Sequence, residues 1–190
     1  MTELKSNMVL NGDFLLSALS KERLAKCIDE NPSLRGYIRG YISEEKLRDY
    51  LENIPGISEV KKIPDLHSKK GDFSFLYQKK EYSVELKSLS DDVKEDFLNS
   101  GVKASLSLKR TGIRKLSDGR TTICLDRNQF DILAICTVSI AGEWGFKFIL
   151  NKYLPSASIG QEYLSSSIVI NTENTPMLRD TIIEVLTDIS

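Results

Sequence analysis

Gly71-Asp-Phe-Ser-Phe-Leu-Tyr-Gln-Lys-Lys-Glu-Tyr-Ser-Val-Glu-Leu-Lys87 contains two alternating runs on either side of a short polar break. Strict alternation puts successive side chains on opposite faces of a strand, so the segment predicts a β-hairpin with Gln78–Glu81 as its loop. With the turn centred between Lys79 and Lys80, Phe73 opposes Leu86, Phe75 opposes Val84 and Tyr77 opposes Tyr82. These six make one apolar face. In the same alignment Asp72 opposes Lys87 and Ser74 opposes Glu85 on the other face. Directly opposed residues share a face, and a slip by one residue would scramble both. The expectation is that two carboxylates and an ammonium meet on one side of a sheet.

That combination suits a hard divalent cation. Mg²⁺ takes oxygen ligands, usually one or two protein carboxylates completed by waters and substrate phosphate. Asp72 and Glu85 can supply them, and Lys87 lies two residues beyond Glu85 to orient or deprotonate an attacking water. A histidine-based or zinc centre is a poor alternative. The chain has one histidine, His67, and its three cysteines (Cys27, Cys124, Cys136) form no CxxC pair. The cysteines read as reduced thiols, and the chain as cytoplasmic.

An Asp at the start of one strand followed by Glu85-Leu86-Lys87 in the next resembles the PD-(D/E)XK, restriction-endonuclease-like nucleases. The family's core order of helix, three strands, helix and strand resembles the order read for residues 33 to 140. The resemblance implies an α/β fold, with a mixed central sheet flanked by helices. It also implies a Mg²⁺-dependent deoxyribonuclease, with Mn²⁺ able to substitute, that leaves a 5′-phosphate. Asp72, Glu85 and Lys87 become the catalytic set, and Asp72, Glu85 and the Leu86 carbonyl the metal ligands. Asp65, in a literal Pro64-Asp65, is the alternative to Asp72. The stretch Gly40-Tyr-Ile-Ser-Glu44-Glu45-Lys46-Leu47 is similar to the G-x-x-x-E-R-x-L pattern of archaeal Holliday-junction resolvases. Helical spacing puts Glu44 at the margin of the Leu47, Tyr50, Leu51, Ile54 stripe and Glu45 on the opposite side. Glu44 is therefore the expected secondary carboxylate.

Outward from the hairpin, residues 12–30 suit a helix or helix pair, and Asn31-Pro32 restarts a second helix that runs to Asn53. Residues 1–32 read as a helical extension and 33–190 as the nuclease-like domain. Further expectations are strands at Ile57–Asp65, Thr121–Leu125, Phe130–Ile140, Gly145–Leu150 and Ser167–Ile170. Helices are expected at Asp91–Leu98 and from Thr175 or Pro176 to Thr187. Trp144 and Phe146 read as core or dimer contacts, and Asp131 as a strand-end residue that caps or pairs with a base.

With 190 residues and a net charge of −1, the chain supports a proper core but announces no basic surface overall. Residues 103–127 differ, with seven lysines and arginines against Asp118 and Asp126 alone. A basic stretch of this kind can track DNA phosphates, and Lys103, Lys109, Arg110 and Gln129 are the candidate contacts. Its bland counterpart is a solvated hairpin turning at Ser117-Asp118-Gly119. No apolar run approaches the roughly 20 residues that cross a bilayer. Cutting a duplex calls for two centres, hence a homodimer. A second class of function, an inactive nucleic-acid-binding or protein-interaction module on the same fold, differs in binding without cutting.

Overall fold

The computed structural model describes residues 19–64, 71–89, 104–116, 118–170 and 177–189. The chain divides into two compact units, residues 1–39 and 40–190. In the first, α1 (Lys21–Glu30) starts at Ser20, whose side chain accepts from the Arg23 N–H. It ends at Asn31, and Pro32 opens α2 (Pro32–Glu52).

The second unit is a mixed α/β structure built on a five-stranded sheet. Its order is β1 (Ile57–Lys62), β2 (Phe73–Tyr77), β3 (Lys80–Ser88), β7 (Ile132–Cys136) and β8 (Phe146–Leu150). The first three strands form an antiparallel meander, β7 runs parallel to β3, and β8 returns antiparallel. Two-stranded sheets pair β4 (Ala104–Ser107) with β11 (Ser167–Ile170), and β5 (Lys109–Lys115) with β6 (Thr121–Cys124). A third pairs β9 (Ser156–Ala157) with β10 (Gly160–Leu164). No described helix is long and apolar enough to cross a membrane.

All five residues of β7 are buried, as befits a strand covered on both faces. Ile132, Ala134 and Cys136 join one core with Phe73, Phe75, Val84 and the α2 residues Leu47 and Leu51. Leu133 and Ile135 join a second with Leu106, Leu125, Leu164 and Ile168. Tyr50 of α2 stacks on Phe148 at 5.5 Å between ring centroids and accepts a hydrogen bond from the Ile182 N–H. That bond fixes α4 (Ile182–Thr187), which opens on a capping box made by Thr181 and Glu184.

The hairpin is where the structure corrects the sequence reading most. Phe73 opposes Val84, Phe75 opposes Tyr82 and Tyr77 opposes Lys80, a shift of two residues from the expected pairing. The turn is the tighter Gln78-Lys79, both with positive φ (50° and 66°), and not a four-residue loop. Two central residues in the left-handed region make the turn type that matches strand twist. Because the shift is even, the apolar face survives: Phe73, Phe75, Tyr82, Val84 and Leu86 are all buried. What changes is who faces whom, and Asp72 no longer opposes Lys87.

Other expectations move less. The predicted strand Phe130–Ile140 stops at Cys136 and gives way to a helical turn, α3 (Val138–Ala141), closed by Gly142 in the left-handed conformation. The last helix begins at Ile182, later than expected, and Ile57–Asp65 is a strand only as far as Lys62. Trp144 is exposed and so lies outside both cores. Among the described residues Asp131 pairs with no base. Its carboxylate accepts from the Ser83 N–H and hydroxyl, both at 2.8 Å, pinning the start of β7 to β3. His67, Asp65 and the helix expected at Asp91–Leu98 lie outside the described residues.

Candidate active site

At the start of β2 the chain is off the ladder. Gly71 has φ 79°, and a Cβ there would stand 2.5 Å from the Val84 carbonyl oxygen, so only glycine fits this approach. The bend lets the Asp72 N–H reach that same carbonyl at 2.7 Å. The Asp72 side chain then replaces the next rung, its Oδ2 accepting from the Leu86 N–H at 2.6 Å. Asp72 is thereby held against the strand that carries Glu85 and Lys87. Leu86 meets the cluster here through its N–H, whereas the resemblance assigned its carbonyl.

Glu85 and Lys87 project from the same side of β3, beside Leu133 and Ile135 of β7. Lys87 Nζ lies 2.5 Å from Glu85 Oε1, and the two side chains are only 25% and 13% exposed. Glu44 enters from α2. The helix is docked there by its buried neighbour Ser43, whose Oγ lies 3.4 Å from Ser88 Oγ and bonds Cys136 Sγ at 3.6 Å. Glu45, as its helical position implies, turns away to pair with Arg48 at 3.1 Å.

The electrostatics show that these groups share one neighbourhood. Burial, and next the negative charge of Glu85, push the Asp72 carboxyl up to about 7. Glu44 pushes the same way, while Lys87 and the Leu86 N–H pull against it. Burial opposes the charge on Lys87, but Glu85, Asp72 and Glu44 outweigh it and hold its pKa above that of an ordinary lysine. Burial first, and then an excess of negative charge over its lysine, thus favour the protonated form of Asp72.

A divalent cation fits this environment. Asp72 and Glu85 offer hard oxygen donors, and a cation would relieve the repulsion by Glu85 that adds to burial in raising the Asp72 pKa. Among the described residues no group of three or more histidine, cysteine, aspartate or glutamate side chains is arranged to hold a metal ion. A two-carboxylate site completed by water and substrate phosphate is the form Mg²⁺ commonly takes.

Sequence reasoning missed Lys62. Its Nζ sits 2.5 Å from Glu44 Oε2 and 5.2 Å from the centre of the Tyr41 ring. The signal available was weak: Lys62 ends a strand whose residues Ser58-Glu-Val-Lys-Lys62 do not alternate simply. The cause is a bulge between Ser58 and Lys61, with Glu59 at φ 51°.

The expected DNA contacts that the structure describes lie on other elements. Lys109 is exposed on β5, and Arg110 follows it on the same strand. Lys103 lies outside the described residues. Gln129 lies on neither β3 nor β5. It occupies a helical turn before β7 and donates to Asp126 at 3.3 Å. Asp126 in turn clamps Arg114 through two 2.5 Å bonds. Arg127 is spent on the Asn151 and Leu154 carbonyls, both at 2.9 Å. No family model, no curated protein and no solved structure matches the chain.

Proposed function

We propose that the protein is a metal-dependent DNA endonuclease with a restriction-endonuclease-like core, acting through Asp72, Glu85, Lys87 and Glu44. The observation that carries this reading is the convergence of Asp72, Glu85 and Lys87 on β3, where burial first and the charge of Glu85 next raise the Asp72 pKa to about 7. Supporting it is the order helix α2, strands β1–β3, then β7 beside β3, which is similar to the core order of the PD-(D/E)XK nucleases.

In this reading Asp72 and Glu85 hold Mg²⁺ or Mn²⁺, and Glu44 adds a third negative group at the margin. A bound divalent cation would polarise the scissile phosphate and acidify a water. The raised pKa of Lys87 makes it a donor that orients water and steadies phosphoryl charge, and a poor proton acceptor. Lys109 and Arg110 would track the backbone of the DNA, and two protomers would cut the two strands.

The test is a supercoiled plasmid incubated with Mg²⁺ or Mn²⁺, with and without EDTA. Nicking or linearisation that needs the metal and vanishes in Lys87→Ala is the expected result. Binding without any cutting would replace the enzyme by an inactive DNA-binding module on the same fold.

A further inference from the structure

Apart from the carboxylate cluster, a pocket of about 400 Å³ opens where β3 and β7 begin and β8 ends. Small-molecule sites typically enclose roughly 300–1,000 Å³. Tyr82 and Ile189 bring the edge of the first core to its wall, and Phe130 brings the edge of the second. None of its lining residues belongs to the proposed catalytic set.

Asn151, the residue after β8, is also part of the wall and is only 5% exposed. Its backbone is fully engaged: the N–H donates to the Asp131 carbonyl and the carbonyl accepts from Arg127, both at 2.9 Å. Its side-chain amide is not. Among the described residues neither Oδ1 nor Nδ2 has a hydrogen-bond partner, and both are shut off from water. Native folds rarely keep a buried carboxamide in that state, because it has given up its bonds to water and gained none.

The charges around the pocket are of two kinds. Arg127 and Asp131 are committed to the fold, Arg127 to backbone carbonyls and the Ser156 hydroxyl, Asp131 to Ser83. Lys80 and Lys152 are exposed and form no ion pair among the described residues. Each ammonium instead rests 4.9 Å from the centre of an aromatic ring, that of Tyr82 or of Tyr153.

These features describe a ligand with two ends. A carboxamide offers an acceptor oxygen beside a donor nitrogen. Adenine answers both with its N6 amino group and N7, whereas guanine presents two acceptors on the same edge and answers only one. The two exposed ammonium groups suit a phosphate.

We propose that this pocket is an adenine-nucleotide site, in which Asn151 reads the base and Lys80 and Lys152 hold the phosphate. Recognition includes a turn of the Asn151 side chain into the pocket, and the covered amide has no hydrogen bond to lose by it. Base and phosphate are the same in a free nucleotide and in an adenosine unstacked from a single strand, so the chemistry is shared by both sources.

The experiment is calorimetric titration in EDTA, which keeps cations from bridging phosphate to the carboxylate cluster. The titrants are AMP, GMP and inorganic phosphate, with a short oligodeoxyadenylate as a separate arm. The proteins are wild type, Asn151→Leu and Lys80→Met/Lys152→Met. AMP should saturate one site on wild type, with GMP about tenfold weaker or worse and phosphate weaker still. Asn151→Leu should lose about tenfold in affinity for AMP and bind AMP and GMP alike. A merely structural Asn151 would lower the melting temperature of that variant and leave the base preference intact. The double-lysine variant should weaken both nucleotides by about tenfold and bind them with less dependence on salt. It alters only exposed side chains, so it decides together with the wild-type ratio of AMP to GMP should Asn151→Leu fail to fold. Saturation by the oligodeoxyadenylate alone, with the same dependence on Asn151, assigns the adenosine to a nucleic-acid strand. Equal affinity for AMP, GMP and phosphate, undiminished binding by Asn151→Leu, or no saturation by either adenine ligand overturns the proposal.

Discussion

Two hairpins in this protein are rich in charge, and they use it in opposite ways. On β5–β6 and the residues that flank it, both acids are matched locally to arginines. Arg114 is clamped by Asp126, and Arg120 by Asp118 two residues away. On β2–β3 the charges are half-buried and the acids outnumber the lysine, so burial and Glu85 raise the Asp72 pKa while the acids hold Lys87 cationic. Locally compensated charge lowers the free energy of the fold. Charge left in excess at a partly buried site raises it, and is tolerated where something else, here a cation and a phosphate, completes the balance.

The largest effect expected from breaking this contrast is in catalysis. Glu85→Gln removes one of the two carboxylates proposed to hold metal and should lower Mg²⁺-dependent plasmid cleavage by about a thousandfold. Retention of most activity would show that the charged end of the sheet is not the reacting centre.

Next comes stability against pH. An acid whose folded pKa lies above its unfolded value binds its proton more tightly in the fold. Asp72, at about 7 against an ordinary 3.8, therefore leaves stability intact below about pH 4 and erodes it as pH rises to about 7. Urea melts should show wild type losing more stability than Asp72→Asn across that window. The difference should be a few kcal/mol, since each tenfold change in proton affinity is worth about 1.4 kcal/mol. Parallel pH profiles would mean the carboxyl is not strained. Asp126→Ala, on the compensated hairpin, should cost only about 1 kcal/mol in the same melts, because the pair is partly exposed. It should leave the cleavage rate unchanged. The smallest effect is Lys109→Ala, an exposed lysine: about a twofold loss of DNA affinity at low salt, with the salt slope reduced by about one.

The fold was legible where pattern alone governs. The alternation of Phe73, Phe75, Tyr82, Val84 and Leu86 specified a hairpin with one buried face, and the Leu47–Leu51 stripe specified the helix that covers it. The exact pairing was not legible, because shifting the register by two residues leaves that alternation unchanged. The choice was made by Gln78 and Lys79 adopting positive φ without a glycine or asparagine to advertise it. Asp72, Glu85, Lys87 and Glu44 were identified as candidates, yet the cause of their proximity differed. Asp72 reaches β3 by leaving the ladder at Gly71, which opposed strand positions do not describe. Lys62 was missed because a bulge upstream obscures which side of β1 it takes, and because its partner comes from a helix some twenty residues earlier in the chain. The basic stretch 103–127 looked like a single surface by composition. In the fold, three of its seven basic residues, Arg114, Arg120 and Arg127, are committed to Asp126, Asp118 and backbone carbonyls.

Whether Asp72 and Glu85 are poised for a cation is decided by calorimetric titration of Mn²⁺ at about pH 6. At that pH Asp72 holds its proton, so one cation should bind and close to one proton should be released, read from the dependence of heat on buffer ionisation enthalpy. Asp72→Asn and Glu85→Gln should each abolish the binding heat. Binding that proceeds unchanged in both variants, or no binding to the wild-type protein at all, would mean that these carboxylates do not hold a metal.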